Sequence, residues 1–230
     1  PNSVLELGTG WWLTVPIAFF LCGIKRIATI DITPLLRMDE LRALITVYAS
    51  IPYERLTSYL PQADENAYQQ LVALSQTPMD DLIDILKTLH IEYLITDARQ
   101  THFDEGEFDL IVSNTTLEHI SKPILTQIFG EFARISGENT VMSHLIDLSD
   151  HYAHVDKSLT PYNFLRYSQR TWAWFFNNNL QYQSRLRFPN YQRIHTQTGF
   201  EILIADVNRE SASQLTHIKI HPDFAKYSQD

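Results

Sequence analysis

The run Val4-Leu5-Glu6-Leu7-Gly8-Thr9-Gly10, answered further on by Asp31, constrains this chain more than any other feature. Val4 to Leu7 is a short apolar segment ending at two glycines, the pattern of a buried parallel strand before a tight turn. Glycine lacks a Cβ, so a ligand can come close to the backbone there and positive φ costs little. A helix is expected from about Pro16, through Ile17-Ala18-Phe19-Phe20-Leu21, to Gly23. A second strand, Ile27 to Ile30, then delivers Asp31 to the same sheet edge. Strand, glycine turn, helix, strand and acid together open a nucleotide-binding α/β domain. A dinucleotide fingerprint would need a third glycine where this chain has Leu13, preceded by Trp11 and Trp12. A ligand with a ribose but no phosphates is the better match.

Downstream, strands and helices alternate. Thr33-Pro34 reads as a helix start, with Leu35, Leu36, Met38, Leu41, Leu44, Ile45 and Tyr48 at helical spacing to about Ala49. Further helices are expected over Asn66 to Ser75 and from Thr77-Pro78 to Leu89. Strand three is Ile91 to Thr96, ending in Asp97-Ala98; strand four is Phe108 to Asn114. Thr115 to Ile120 starts a helix and Pro123 to Ile135 forms another. Strand five is Thr140 to Ile146. A Trp-rich helix lies near residues 169 to 177, another from Tyr191 to Thr198, and strand six is Phe200 to Ala205. Leu215 to Ile220 is a doubtful seventh strand. Such alternation calls for an α/β fold with a mostly parallel sheet and helices on both faces. No linker divides residues 1–230, so a single domain is expected. Residues 34–90 occupy a place where one helix is usual. They read as a helical insertion, serving either as sheet cover or as a cap over a substrate.

The acid-x-Gly-x-Gly turn with a distal acid resembles motif I of the class I S-adenosylmethionine (SAM)-dependent methyltransferases. Asp97 after strand three recurs where that pattern expects an acid. Phe108 to Asn114 with Leu117-Glu118-His119-Ile120 looks like the segment following strand four in the same superfamily. Residues 143–200 also resemble a group of bacterial methyltransferase-like proteins with a His-x-Ile-Asp-x-x-Asp-His segment. The resemblance implies a Rossmann-like fold, SAM as cofactor and S-adenosylhomocysteine as product. It implies that Glu6, Gly8, Thr9 and Gly10 lie at the amino-acid part of the cofactor. Asp31, followed by Ile32, would accept from both ribose hydroxyls, a charge-assisted pairing. Asp97 would accept from the adenine amino group, Ala98 would offer a backbone N–H to the ring, and Asn114 would lie near the methionine moiety. For each acid after a strand, helix capping is the competing reading.

Methyl transfer from a sulfonium needs a nucleophile held in line and water excluded. A base is needed only if the acceptor must lose a proton. Glu118 and His119 follow strand four. His144, Asp147, Asp150, His151, His154 and Asp156 crowd the end of strand five, where α/β sheets build their crevices. A carboxylate beside an imidazole fixes its tautomer and raises its basicity, so His119, Asp147 and His151 are the catalytic candidates. The same residue types suit a divalent metal, but their spacing matches no metal motif and no metal is expected. Polar-loop and capping roles compete with both readings. His90 and His195 read as structural. Tyr162 to Phe176 is rich in rings, read as helix packing or as an aromatic wall with Arg185 or Arg187 pairing an anionic acceptor.

A net charge of −9 argues against a nucleic-acid backbone as the main partner. The single cysteine, Cys22, cannot form an internal disulfide and suits a reducing cytoplasm. Trp11 to Ile24 is too short to span a bilayer. No signal peptide is read at Pro1-Asn2, and the abrupt entry into a strand suggests a chain cut upstream. The expectation is a methyltransferase acting on oxygen or nitrogen of a small-molecule, glycan or lipid-precursor acceptor. The rivals are an aminopropyltransferase-like enzyme and a non-catalytic subunit on the same scaffold.

Overall fold

Five strands form one sheet in the order β3-β2-β1-β4-β5: β1 (Ser3–Leu7), β2 (Arg26–Asp31), β3 (Ile91–Ile95), β4 (Phe108–Asn114) and β5 (Ser136–Leu145). The computed structural model describes residues 1–78, 81–177, 182–208, 215 and 218–227. β1 sits at the centre and is buried at every position. That explains its nearly unbroken apolar run, since neither face meets water. β1 pairs in parallel with β2 and β4, and β2 with β3. The register sets Leu7 beside Ile30 and Ser113, and Asp31 beside Ile95. Four strands therefore end together at one edge. The chain winds outward from β1 to β3, then returns to the other side of β1 for β4 and β5. The strand order reverses at β1, which makes this edge the topological switch point where α/β sheets bind ligands.

By contact the chain divides into two compact units. The first, Pro1–Asn114 with Gly130–His144, contains the sheet up to His144. Its core joins Leu13, Ile17, Phe20 and Leu21 to Ile27 and Ile91 of the sheet. Of these, Ile17, Phe20 and Leu21 lie in α1 (Thr14–Leu21). The segment between β2 and β3 forms four helices, α2 (Met38–Ser50), α3 (Tyr53–Tyr59), α4 (Glu65–Ser75) and α5 (Leu82–Thr88). Leu41, Ile45, Leu56, Tyr68, Leu71 and Ile85 from these helices enter the same core. Their buried side chains thus serve as sheet cover. At the far end of β4, Phe103 meets Phe108 edge to face, with Arg26 over both rings.

The second unit is Thr115–Phe129 with Leu145–Asp230. It includes the start of α6 (Lys122–Ile135), then α7 (Tyr152–Val155), α8 (Gln169–Phe175) and α9 (Phe188–Gln197). Phe164, Leu165, Trp172 and Phe224 form a small aromatic core there. This is the packing role expected for the ring-rich stretch.

Three sequence expectations are corrected. The helix expected at Thr33-Pro34 starts at Met38. Asp31 Oδ1 accepts the Thr33 N–H and the Leu35 N–H turns back to the Thr33 carbonyl, so a turn occupies residues 31–35 instead. Thr115 to Ile120 makes only a short 3-10 turn, Leu117–His119, preceded by Thr115 at φ 48 and ended by Ile120 in extended conformation. Phe200 to Ala205 forms no strand; Leu203 and Ile204 are exposed and pair with no strand among the described residues. Within Leu215 to Ile220, residues 216 and 217 lie outside the described residues.

Candidate active site

The glycine turn at the end of β1 is stitched to β2. The Gly8 N–H donates to the Ile30 carbonyl at 2.9 Å, and the Gly10 N–H donates to Asp31 Oδ2 at 2.9 Å. Both glycines have left-handed φ, 89° and 59°. With both amides used internally, the turn offers close approach rather than donors. A Cβ added at Gly10 would meet nothing within 4 Å, so open space lies over the turn. Leu13, at the place of the third dinucleotide glycine, is fully buried in the core.

Beneath the turn runs a buried polar chain. The Thr29 hydroxyl donates to Glu6 Oε2 at 2.6 Å, and the Thr9 hydroxyl lies 2.7 Å from Thr29 Oγ1. Since Thr29 spends its proton on Glu6, Thr9 is the donor of that second pair. Burial pushes the Glu6 carboxyl up to about 8, with Thr29 opposing and the Asp31 charge adding. The Thr9 side chain therefore faces inward. Asp31 remains partly exposed at the edge; each of its oxygens accepts one backbone N–H, which leaves further lone pairs. Ile32 beside it is 74% exposed.

The Thr96 N–H donates to the Asp31 carbonyl, which sets the ends of β2 and β3 side by side. Ala98 is buried. Asp97 accepts from Arg99 through its backbone N–H and its guanidinium, at 2.9 to 3.0 Å, and these bonds hold its carboxyl below the usual range. An adenine amino group at Asp97 would thus share the carboxylate with Arg99. Asn114 ends β4 with an exposed side chain. Also on this side, Ser113 Oγ and His144 Nδ1 lie 2.8 Å apart.

In the second unit the Thr115 N–H donates to the Leu145 carbonyl. A β-branched residue at φ 48 is strained, a condition that concentrates at functional sites. The 3-10 turn after it carries Glu118 and His119. Glu118 is 1% exposed; its Oε1 accepts the Asp147 N–H at 3.3 Å, while Oε2 has no hydrogen-bond partner. Burial raises its pKa. The His119 ring packs against that of His151, with centroids 5.0 Å apart, and His119 Nδ1 lies 2.9 Å from the Tyr182 carbonyl. His151 Nε2 is buried without a hydrogen-bond partner, 3.6 Å from Asp147 Oδ2. Burial first, then His119, lowers the His151 pKa. His154 Nε2 stands 3.4 Å from the same Asp147 oxygen. The three catalytic candidates His119, Asp147 and His151 are therefore neighbours.

Asp150 and Asp156 are engaged elsewhere. Asp150 is fully buried and accepts from the Tyr152 N–H and from Asn163 Nδ2. Asp156 accepts from Ser158 at an exposed turn. Both accept a backbone N–H two residues on, the polar-loop role. The expected anion-pairing arginines are also otherwise engaged. Arg185 is buried between Trp172 and Phe224 and donates to the carbonyls of Phe164 and Tyr167 and to Gln169 Oε1. Burial lowers its pKa to about 10. Arg187 donates to the Leu148 carbonyl at 2.6 Å. Sequence reasoning missed the Thr9–Thr29–Glu6 chain, although a threonine inside an apolar strand opposite Glu6 was its signal.

Residues 57–141 match the family model described as a methyltransferase domain. That interval contains Asp97 and Asn114. The β3-β2-β1-β4-β5 order around that interval is a Rossmann-like arrangement of the class I methyltransferase type. Several solved structures are similar. A protein from Bacillus halodurans described provisionally as a methyltransferase is 13% identical, with 87% of this chain and 64% of that one covered and a TM-score of 0.47. A SAM-dependent methyltransferase from Methanosarcina mazei is 12% identical over 86% of this chain and 80% of that one, at a TM-score of 0.47. Phosphoethanolamine N-methyltransferase 2 of Haemonchus contortus, in complex with S-adenosylhomocysteine, is 14% identical over 86% and 33%, at 0.46. The chain thus spans just under two thirds of the Bacillus halodurans protein. Likenesses at this level carry no argument about function. No curated protein matches the chain. Among the described residues no helix is long and apolar enough to cross a membrane.

Proposed function

We propose that this chain binds SAM at the β1–β2–β3 edge and transfers its methyl group to oxygen or nitrogen of a small-molecule, glycan or lipid-precursor acceptor. The observation that carries the reading is the Gly10–Asp31 bond. It holds an acid with spare lone pairs beside a glycine turn that has open space over it, at the switch point of the sheet. Glu6, Gly8, Thr9 and Gly10 form the turn for the amino-acid part of the cofactor, with Glu6 and Thr9 acting from beneath. Asp31 takes the ribose hydroxyls and the exposed Ile32 offers an apolar face beside them. Asp97 and Ala98 take the adenine, and Asn114 the methionine end.

His119, Asp147 and His151 form the acceptor-side cluster in this reading. Burial lowers the His151 pKa and so favours the neutral ring, whose lone pair can take a proton or hold a cation. A cytoplasmic location is proposed on the single free cysteine, and no nucleic-acid partner on the charge of −9. Incubation with methyl-labelled SAM and a panel of alcohols, phenols, amines and sugar derivatives tests the activity. Label should pass to at least one acceptor with release of S-adenosylhomocysteine. A protein that binds SAM and labels nothing in such a panel would be the non-catalytic relative instead.

A further inference from the structure

Two polar groups of the second unit share one problem, and a third stands beside them. Glu118 Oε2 and His151 Nε2 are buried and have no hydrogen-bond partner. His119 Nδ1 faces the Tyr182 carbonyl at 2.9 Å; a carbonyl only accepts, so Nδ1 carries the proton and Nε2 keeps its lone pair. One ligand atom from each of Glu118, His119 and His151 can be chosen so that all three lie within 4.8 Å of one another. A carboxylate oxygen and two imidazole nitrogens thus converge, and two of these atoms are left unsatisfied at a cost of about 1–3 kcal/mol each. A hydrogen bond from His151 to Glu118 could serve those two atoms but would leave the His119 lone pair aside. A cation satisfies all of them at once.

We propose that Glu118, His119 and His151 bind a divalent metal ion of the zinc type. The donor set selects the metal. Two imidazoles with one carboxylate suit zinc and its first-row neighbours, whereas magnesium and calcium prefer oxygen alone. Metal–ligand bonds of about 2.0–2.2 Å would draw the three atoms to roughly 3.3 Å apart in a tetrahedral site, a modest contraction. The surroundings already resemble an outer shell. The Tyr182 carbonyl orients His119, and the Asp147 N–H holds the second oxygen of Glu118. Asp147 Oδ2, 3.6 Å from His151 Nε2, adds negative charge. Sequence spacing hides the site because the ligands come from two distant segments, one after β4 and one after β5.

Three protein ligands leave a fourth position for water or for an oxygen of the acceptor, whose proton the cation would make easier to remove. Only that consequence rests on the methyltransferase reading; the binding itself does not. The test is calorimetric titration of this chain, stripped with chelator and dialysed, with Zn²⁺ alone, alongside Co²⁺ followed by its visible absorption. One equivalent should bind, Co²⁺ should give the intense bands of a four-coordinate site, and Mg²⁺ should not compete. Glu118→Gln and His151→Ala should each weaken Zn²⁺ at least about 100-fold, while His154→Ala changes it by less than about threefold. If either ligand variant melts early, His119→Gln replaces it with the same expectation. Absence of stoichiometric binding, or affinity unmoved in the ligand variants, overturns the proposal. A parallel titration with S-adenosylhomocysteine separates the two readings. Binding of the nucleoside without zinc overturns the metal site alone, and binding of zinc without the nucleoside overturns the cofactor assignment alone.

Discussion

Glu6 and Glu118 are both buried acids at the carboxyl side of a strand, and the protein treats them in opposite ways. Glu6 is tied to Thr29, which is tied to Thr9, so its burial is compensated within the strands that carry it. Glu118 has one oxygen held by a backbone N–H and the other left without a hydrogen-bond partner beside imidazoles. A closed polar chain serves shape: it fixes the glycine turn over which a cofactor can lie. An open one serves chemistry, because unsatisfied atoms retain affinity for something brought from outside. Under the proposed function, cofactor binding falls to the first unit and acceptor-side chemistry to the second.

The comparison can be broken at several points. The largest effect is expected at Asp31→Ala, which removes the two proposed ribose contacts and the anchor of the Gly10 N–H. At about 1.5–3 kcal/mol per charge-assisted bond, S-adenosylhomocysteine should bind at least about 100-fold more weakly by calorimetry. His151→Ala should lower turnover by about 10²-fold or more and leave cofactor affinity within about twofold. Equal loss of both would erase the division between the units.

Stability should respond next. The Glu6 carboxyl sits at about 8 in the folded chain against an ordinary value of 4.5. A raised folded value means the unfolded chain gives up its proton first as pH rises. The stabilisation is therefore complete below about pH 4.5 and is lost progressively up to about 8, on the order of a few kcal/mol in all. Melting temperature measured from pH 5 to 8.5 should fall for this reason, and Glu6→Gln should flatten the slope. Thr29→Val keeps shape but opens the polar chain, and should cost about 1–3 kcal/mol in denaturant unfolding. The smallest effect is expected at Thr115→Gly, which relieves the φ of 48° and should stabilise the second unit by about 1 kcal/mol or less.

Much of this was readable from residues. The strands β1 to β4, the glycine turn and Asp31 at the sheet edge all follow from local pattern and chain order. What escaped depends on partners. Thr33-Pro34 has the composition of a helix start, yet the nearby Asp31 carboxylate captures the Thr33 N–H and delays the helix to Met38. Phe200 to Ala205 has the composition of a strand, and only a neighbour to pair with would make it one. Arg185 and Arg187 look like anion binders until their carbonyl acceptors and aromatic faces are seen. The convergence of Glu118, His119 and His151 joins segments more than thirty positions apart, which no local spacing rule could reveal.

The most direct test of the central claim is calorimetric titration of this chain with S-adenosylhomocysteine, with NAD as the comparison ligand. The account predicts one-to-one binding of the first and none of the second, because Leu13 fills the place of the third glycine and the Asp31 carboxylate stands ready for a ribose. Binding of NAD in preference, or of neither ligand, would contradict it.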